Sequence, residues 1–107
     1  MTTDLDTVGY YKTSYFYAHV DGYRVTVAYK RALDRGSVVF GAAFCRPTDA
    51  FQKRMGRQIA EGRMNTIGQP ILLDANMTRF DMHTAIIQSL ISCHYCPENL
   101  TRSFSAV

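Results

Sequence analysis

The chain contains no tryptophan, only three prolines and three cysteines, and no long apolar run. Without tryptophan, its seven tyrosines and six phenylalanines are the only side chains with a π-face for stacking on a ring. Three cysteines cannot all pair within one chain, which points to a reducing, cytoplasmic setting. No stretch approaches the roughly 20 apolar residues needed to span a bilayer, so no membrane partner is expected. The opening Met-Thr-Thr-Asp-Leu-Asp lacks a basic region followed by an apolar run, so no signal peptide is expected. The net charge of +3 permits an anionic partner but falls short of a dedicated duplex-DNA binder. There is no Gly-x-Ser-x-Gly, no His-Glu-x-x-His and no phosphate-cradling glycine loop. His19, His83 and His94 fall on three different predicted elements. The expectation is a protein that is not an enzyme and needs no cofactor.

What is present fits one folded domain over residues 1–107, with 47% hydrophobic and 20% charged residues. A chain this short buries a modest share of its surface, so a homo-oligomer is expected. Two β-rich runs, 10–20 and 23–31, meet at Asp21-Gly22, the dipeptide of a two-residue type I′ hairpin turn. That turn sets Val20 opposite Tyr23, Ala18 opposite Val25, Phe16 opposite Val27 and Ser14 opposite Tyr29. All but Ser14 are apolar or aromatic, so one face is consistently a core face. The other face carries His19 with Arg24, Tyr17 with Thr26, Tyr15 with Ala28 and Thr13 with Lys30. Its tyrosines reflect strand propensity, a subunit interface or a stacking surface for a base. A second turn at Leu33-Asp34-Arg35-Gly36 leads to a third strand over 37–45, in which Gly41 signals a bulge or a close backbone approach.

Residues 41 to 65 organise the rest. After Arg46-Pro47-Thr48 the pattern predicts a helix over about 49–61, with Asp49 and Gln52 as a capping box and Gly62 as its stop. Phe51, Met55 and Ile59 form an apolar ridge. Gly56 and Ala60 lie beside it. A mid-helix glycine costs about 1 kcal/mol against alanine, so a close contact with the sheet or another subunit is expected there. The other face is basic: Arg46, Lys53, Arg54, Arg57 and Arg63, with only Glu61 for local relief. Like charges at helical spacing repel by about 0.2–0.5 kcal/mol per pair. Either this is a solvated face or an anion belongs on it, and arginine binds phosphate oxygens bidentately.

Residues 62–78 are irregular, with Ile71-Leu72-Leu73 as a short buried strand and Asp74-Ala75-Asn76 as a polar turn. A second helix is expected over about 79–93, with Met82, Ile86, Leu90 and Cys93 on its apolar stripe, joined by Ile87 and Ile91. Cys93-His94-Tyr95-Cys96 sits at that helix's C-terminus, where the dipole raises a thiol's pKa, so redox chemistry is disfavoured. A zinc site there lacks a second Cys-x-x-Cys, which leaves packing cysteines as the expectation. The fold class is therefore α+β: an antiparallel β-sheet, the N-terminal hairpin plus a third strand, with two α-helices packed on one face.

The run Phe44-Cys45-x-Pro47-x-Asp49-x-Phe51, followed by Gly56-Arg57-x-Ile59-Ala60 and Gly62-Arg63, resembles the phage Thoeris anti-defence proteins of the first type. That family consists of sponges for cyclic ADP-ribose signals. The resemblance covers about a quarter of the chain and leaves residues 64–107 without a counterpart. It implies a non-enzymatic, oligomeric protein in the host bacterial cytoplasm, with pockets at subunit contacts. On this expectation the chain sequesters a cyclic nucleotide or cyclic ADP-ribose-type messenger without cleaving it. Arg54, Arg57 and Arg63, helped by Arg46 and Lys53, would meet phosphates. Phe80 or Tyr15 would stack on the base, and Asp74 and Asn76 would bond ribose hydroxyls. The alternatives are a single-stranded nucleic-acid binder, or an inhibitor that blocks a host defence complex through its tyrosine-rich face.

Overall fold

A computed structural model describes residues 9–20, 22–48, 50–68 and 70–92. The elements, in chain order, are β1 (Ser14–Val20), β2 (Tyr23–Arg31), β3 (Ser37–Cys45), α1 (Lys53–Ile67), β4 (Pro70–Leu72) and α2 (Arg79–Ser92). The four strands form one antiparallel sheet in the order β1-β2-β3-β4. The fold class is α+β, as the sequence predicts.

The hairpin register is the expected one throughout, from Val20 opposite Tyr23 to Ser14 opposite Tyr29. Gly22 sits at φ +85, the left-handed conformation that the turn demands and that glycine adopts without steric cost. β3 continues the pattern, with Phe44 opposite Val25, Ala42 opposite Val27 and Phe40 opposite Tyr29.

Both faces of this sheet are buried, and each helix packs on one of them. Val25, Val27, Tyr29, Val38, Phe40 and Ala42 meet Met82, Ile86 and Leu90 of α2 in the larger core. The alternate residues Ala28 and Ala43 meet Ala60 and Met64 of α1 in the smaller one. Successive side chains point to opposite sides of a strand, so α1 and α2 lie on opposite faces and do not share one as expected, because β2 and β3 carry small or apolar residues on both sides. α2 stands on large side chains, whereas α1 comes down onto small ones. The tyrosine-bearing face of the hairpin is thus the face that α1 covers, and Thr26 and Ala28 in its middle are fully buried.

Two glycines make the α1 approach possible. A Cβ on Gly41 would meet backbone atoms of Ala60 and Met64, and a Cβ on Gly56 would meet the Thr26 side chain, 2.6 Å from Oγ1. The pairing runs through Gly41 without interruption, opposite Ala28, so it marks a close approach and not a bulge. For Gly56 the partner is the sheet of the same chain.

The bounds of α1 differ from those expected. It begins at Lys53 with Gln52 as N-cap, whose side chain makes no capping bond. It also runs through Gly62 to Ile67, because packing of the helix on β2 and β3 outweighs the weak local preference of one glycine. Thr66 Oγ1 donates to the Gly62 carbonyl at 2.8 Å, one turn back. Asp49, Cys93 to Cys96 and the tail 98–107 lie outside the described residues. No helix among the described residues is long and apolar enough to cross a membrane.

A candidate ligand seam between the first helix and the hairpin

On the α1 side, Tyr15 and Tyr17 alternate onto one face of β1, while Lys53, Arg57 and Glu61 recur every four residues along one stripe of α1. The two rows meet. Lys53 Nζ lies 5.0 Å from the centre of the Tyr17 ring. Arg57 donates from Nη1 to the Tyr17 hydroxyl at 3.1 Å, and its guanidinium carbon is 5.9 Å from the Tyr15 ring centre. Tyr15 in turn donates to Glu61 Oε1 at 2.7 Å. That bond, followed by burial, raises the pKa of the Tyr15 phenol.

The row continues toward the hairpin turn. Phe51 meets Tyr17 edge-on at 6.2 Å, and the Arg24 guanidinium lies 5.1 Å from the centre of the Phe51 ring. Cations and rings are therefore interleaved along the seam: Arg24, the ring pair Phe51 and Tyr17, then Lys53 and Arg57, then Tyr15. Exposed cation–π contacts contribute about 0.5–1 kcal/mol each. They offset part of the like-charge repulsion along α1 that the sequence left without a partner.

Phe51 is also the wall between two recesses. On one side is a cavity of about 290 Å³, lined by Thr26, Phe44, Cys45, Phe51, Met55 and Ile59 among others. This is close to the lower limit of small-molecule sites, about 300 Å³. The ridge expected from the sequence thus lines a cavity, with Met55 and Ile59 partly exposed. Thr26 lines this cavity, and its hydroxyl is buried with no hydrogen-bond partner among the described residues. An unsatisfied buried hydroxyl costs about 1–3 kcal/mol. On the other side of Phe51, His19, Arg24 and Arg46 line a more polar recess of about 350 Å³. α1 opens between the two with no acidic residue in its first turn, so its uncapped N–H groups favour an anion.

The expected site residues divide into groups. Lys53, Arg57 and Tyr15 come together in the seam, and Arg46 lines the recess at its end. Arg63 turns the other way and donates from Nη1 to the Ala42 carbonyl at 2.9 Å, holding α1 to the outer edge of β3. Arg54 is exposed. Asp74 and Asn76 occupy the turn after β4, where Asp74 Oδ1 accepts from the Asn76 N–H at 2.9 Å. Phe80 stands exposed on α2 and lines a separate apolar groove with Phe16 and His83, on the far side of the sheet. Reading by type alone missed Arg24 and Thr26 as site residues. The hairpin register already placed both on the same face as Tyr15 and Tyr17, and that was the available signal.

No protein-family model matches this sequence, and neither a curated protein nor a solved structure matches the chain.

Proposed function

We propose that this protein binds and sequesters an anionic, nucleotide-type second messenger, a cyclic nucleotide or a cyclic ADP-ribose-type signal, without cleaving it. The observation that carries this reading is the seam: cations and rings are interleaved beside a cavity lined by Thr26, Phe51, Met55 and Ile59. A base enters beside Phe51, Met55 and Ile59. The phosphates lie outward, toward Arg24, Arg46, Lys53 and the open N-terminus of α1. The family resemblance of residues 44–63 supports the same reading. Self-association belongs to it as well, since Leu72 (89% exposed) and Phe80 (77% exposed) leave apolar surface for a second copy to cover.

The test is a thermal-shift panel of cyclic nucleotides and cyclic ADP-ribose isomers, with chromatography of the ligand recovered afterwards. A sponge raises Tm saturably and returns its ligand intact. At a free ligand concentration one thousand times Kd the stabilisation is about 4 kcal/mol. If no panel member shifts Tm, or if affinity instead grows with oligonucleotide length and falls steeply with salt, the reading is lost.

A further inference from the structure

The far corner of the molecule holds a second concentration of positive charge, on the α2 face and at the opposite end of the hairpin. A cavity of about 340 Å³ is lined by Tyr11, Lys12, Ser14, Tyr29, Arg31, Arg35, Arg79 and Met82. Four of these carry positive charge, and among the described residues no carboxylate lines the cavity.

The central member is Arg31, which is 94% buried. Its Nε and Nη2 donate to the Arg35 carbonyl, and Nη2 also donates to the Asp74 carbonyl at 3.1 Å. Of the five N–H groups of a guanidinium, the two on Nη1 remain for the cavity. Backbone carbonyls hold this cation in place without neutralising it. Burial and the nearby Arg35 both lower its pKa, and the charge of Asp74 opposes them only weakly. Arg35 sits at φ +66, rare for a residue with a side chain, and donates from Nε to the Ala75 carbonyl at 3.1 Å. The two arginines thereby lock the turn after β2 to the turn after β4. Arg79 opens α2, where the helix dipole disfavours a cation and favours Asp81 in the same turn. A buried guanidinium beside a second arginine and a cation at the N-terminal end of a helix both oppose the fold in the absence of an anion.

We infer that this cavity binds the phosphoryl group of a small phosphorylated molecule, a phosphomonoester or a diphosphate, with Arg31 Nη1 at its floor and Lys12, Arg35 and Arg79 around it. Four cations call for more than one negative charge, which favours a phosphoryl dianion over a carboxylate. The Tyr11 hydroxyl adds a neutral donor at the rim. The cations surround a recess and do not run along a stripe, so the partner is a small molecule and not a polymer. The assignment stands independently of the seam between α1 and the hairpin.

The probe is pyrophosphate, titrated calorimetrically into the full chain at constant ionic strength, with thermal shifts in parallel. Arg31→Ala endangers the fold, so the informative variants are the exposed Arg79→Gln and Lys12→Gln. The expected result is saturable binding that Arg79→Gln weakens about tenfold or more, while the ligand-free Tm of that variant is equal to or above wild type. Three results would overturn the assignment. These are no saturable binding, an Arg79→Gln affinity equal to wild type, or an equal loss in the seam variant Arg57→Gln, which would assign the anion to the seam. Displacement of pyrophosphate by a single-stranded oligonucleotide at matched phosphate concentration would count against a small-molecule site.

Discussion

A single methyl group at Gly41 tests how α1 is held. In Gly41→Ala the new Cβ would meet the Met64 amide nitrogen, the Ala60 carbonyl oxygen and, at 2.8 Å, the Met64 Cα. These are helix backbone atoms and cannot rotate aside, so α1 must rise from the sheet. Overpacking a core costs typically about 1–3 kcal/mol. Here the lift also loosens Ala60 and Met64 from Ala28 and Ala43, which places the expected loss near the top of that range, about 3 kcal/mol. For a domain with a total stability of about 5–15 kcal/mol this is a large share. Gly62→Ala is the matched control: it adds the same methyl to the same helix where nothing lies within 4 Å. It should stabilise by about 0.5–1 kcal/mol through helix propensity alone. Urea denaturation followed by circular dichroism measures both, with an unchanged m-value confirming that stability and not compactness has moved. A Gly41→Ala variant within about 0.5 kcal/mol of wild type would show that the close approach of α1 is not needed.

Thr26→Val replaces the buried hydroxyl with a methyl and should raise ligand-free stability by about 1 kcal/mol, which urea denaturation of the variant reads. Glu61→Gln removes the main cause of the raised Tyr15 pKa, so ultraviolet titration should show one phenol ionising at lower pH than in wild type. His83 stacks on Phe16 at 3.9 Å and lies 3.2 Å from the Tyr29 hydroxyl, and its pKa is lowered from 6.5 by burial first and Arg79 second. The unfolded chain therefore takes up this proton more readily than the folded one. The His83 contribution to stability is present above 6.5 and is lost as pH falls from there through the lowered folded value. His83→Gln should flatten that part of the stability–pH curve, and an unchanged slope would assign it elsewhere. In ligand assays, Arg57→Gln with Tyr17→Phe should lose less than the sum of the two single changes, because the pair shares one hydrogen bond.

By itself the sequence determined what depends on neighbours along the chain. Asp21-Gly22 dictated the hairpin, and a side-chain period of two then decided every cross-strand pair from Ser14 to Tyr29. The three long strands and two helices follow from the same local patterns, whereas the fourth strand, expected as buried over Ile71-Leu72-Leu73, is Pro70–Leu72 at the sheet edge with Leu72 exposed. Asp49 and Gln52 resembled a helix start and Gly62 a stop, yet α1 begins at Lys53 and ends at Ile67, because packing along β2 and β3 outweighs a few tenths of a kcal/mol of local preference per residue. Only the tertiary structure decided that both sheet faces are covered, with α1 seated on glycine and alanine and α2 on large side chains. It also separated the basic residues, sending Arg57 to Tyr17, Arg63 to the Ala42 carbonyl, and Arg31 and Arg35 to a different corner. Spacing along one helix records which side chains share a stripe. Which carbonyl or ring each one meets depends on residues some 20 to 40 positions away, at distances only the folded chain specifies.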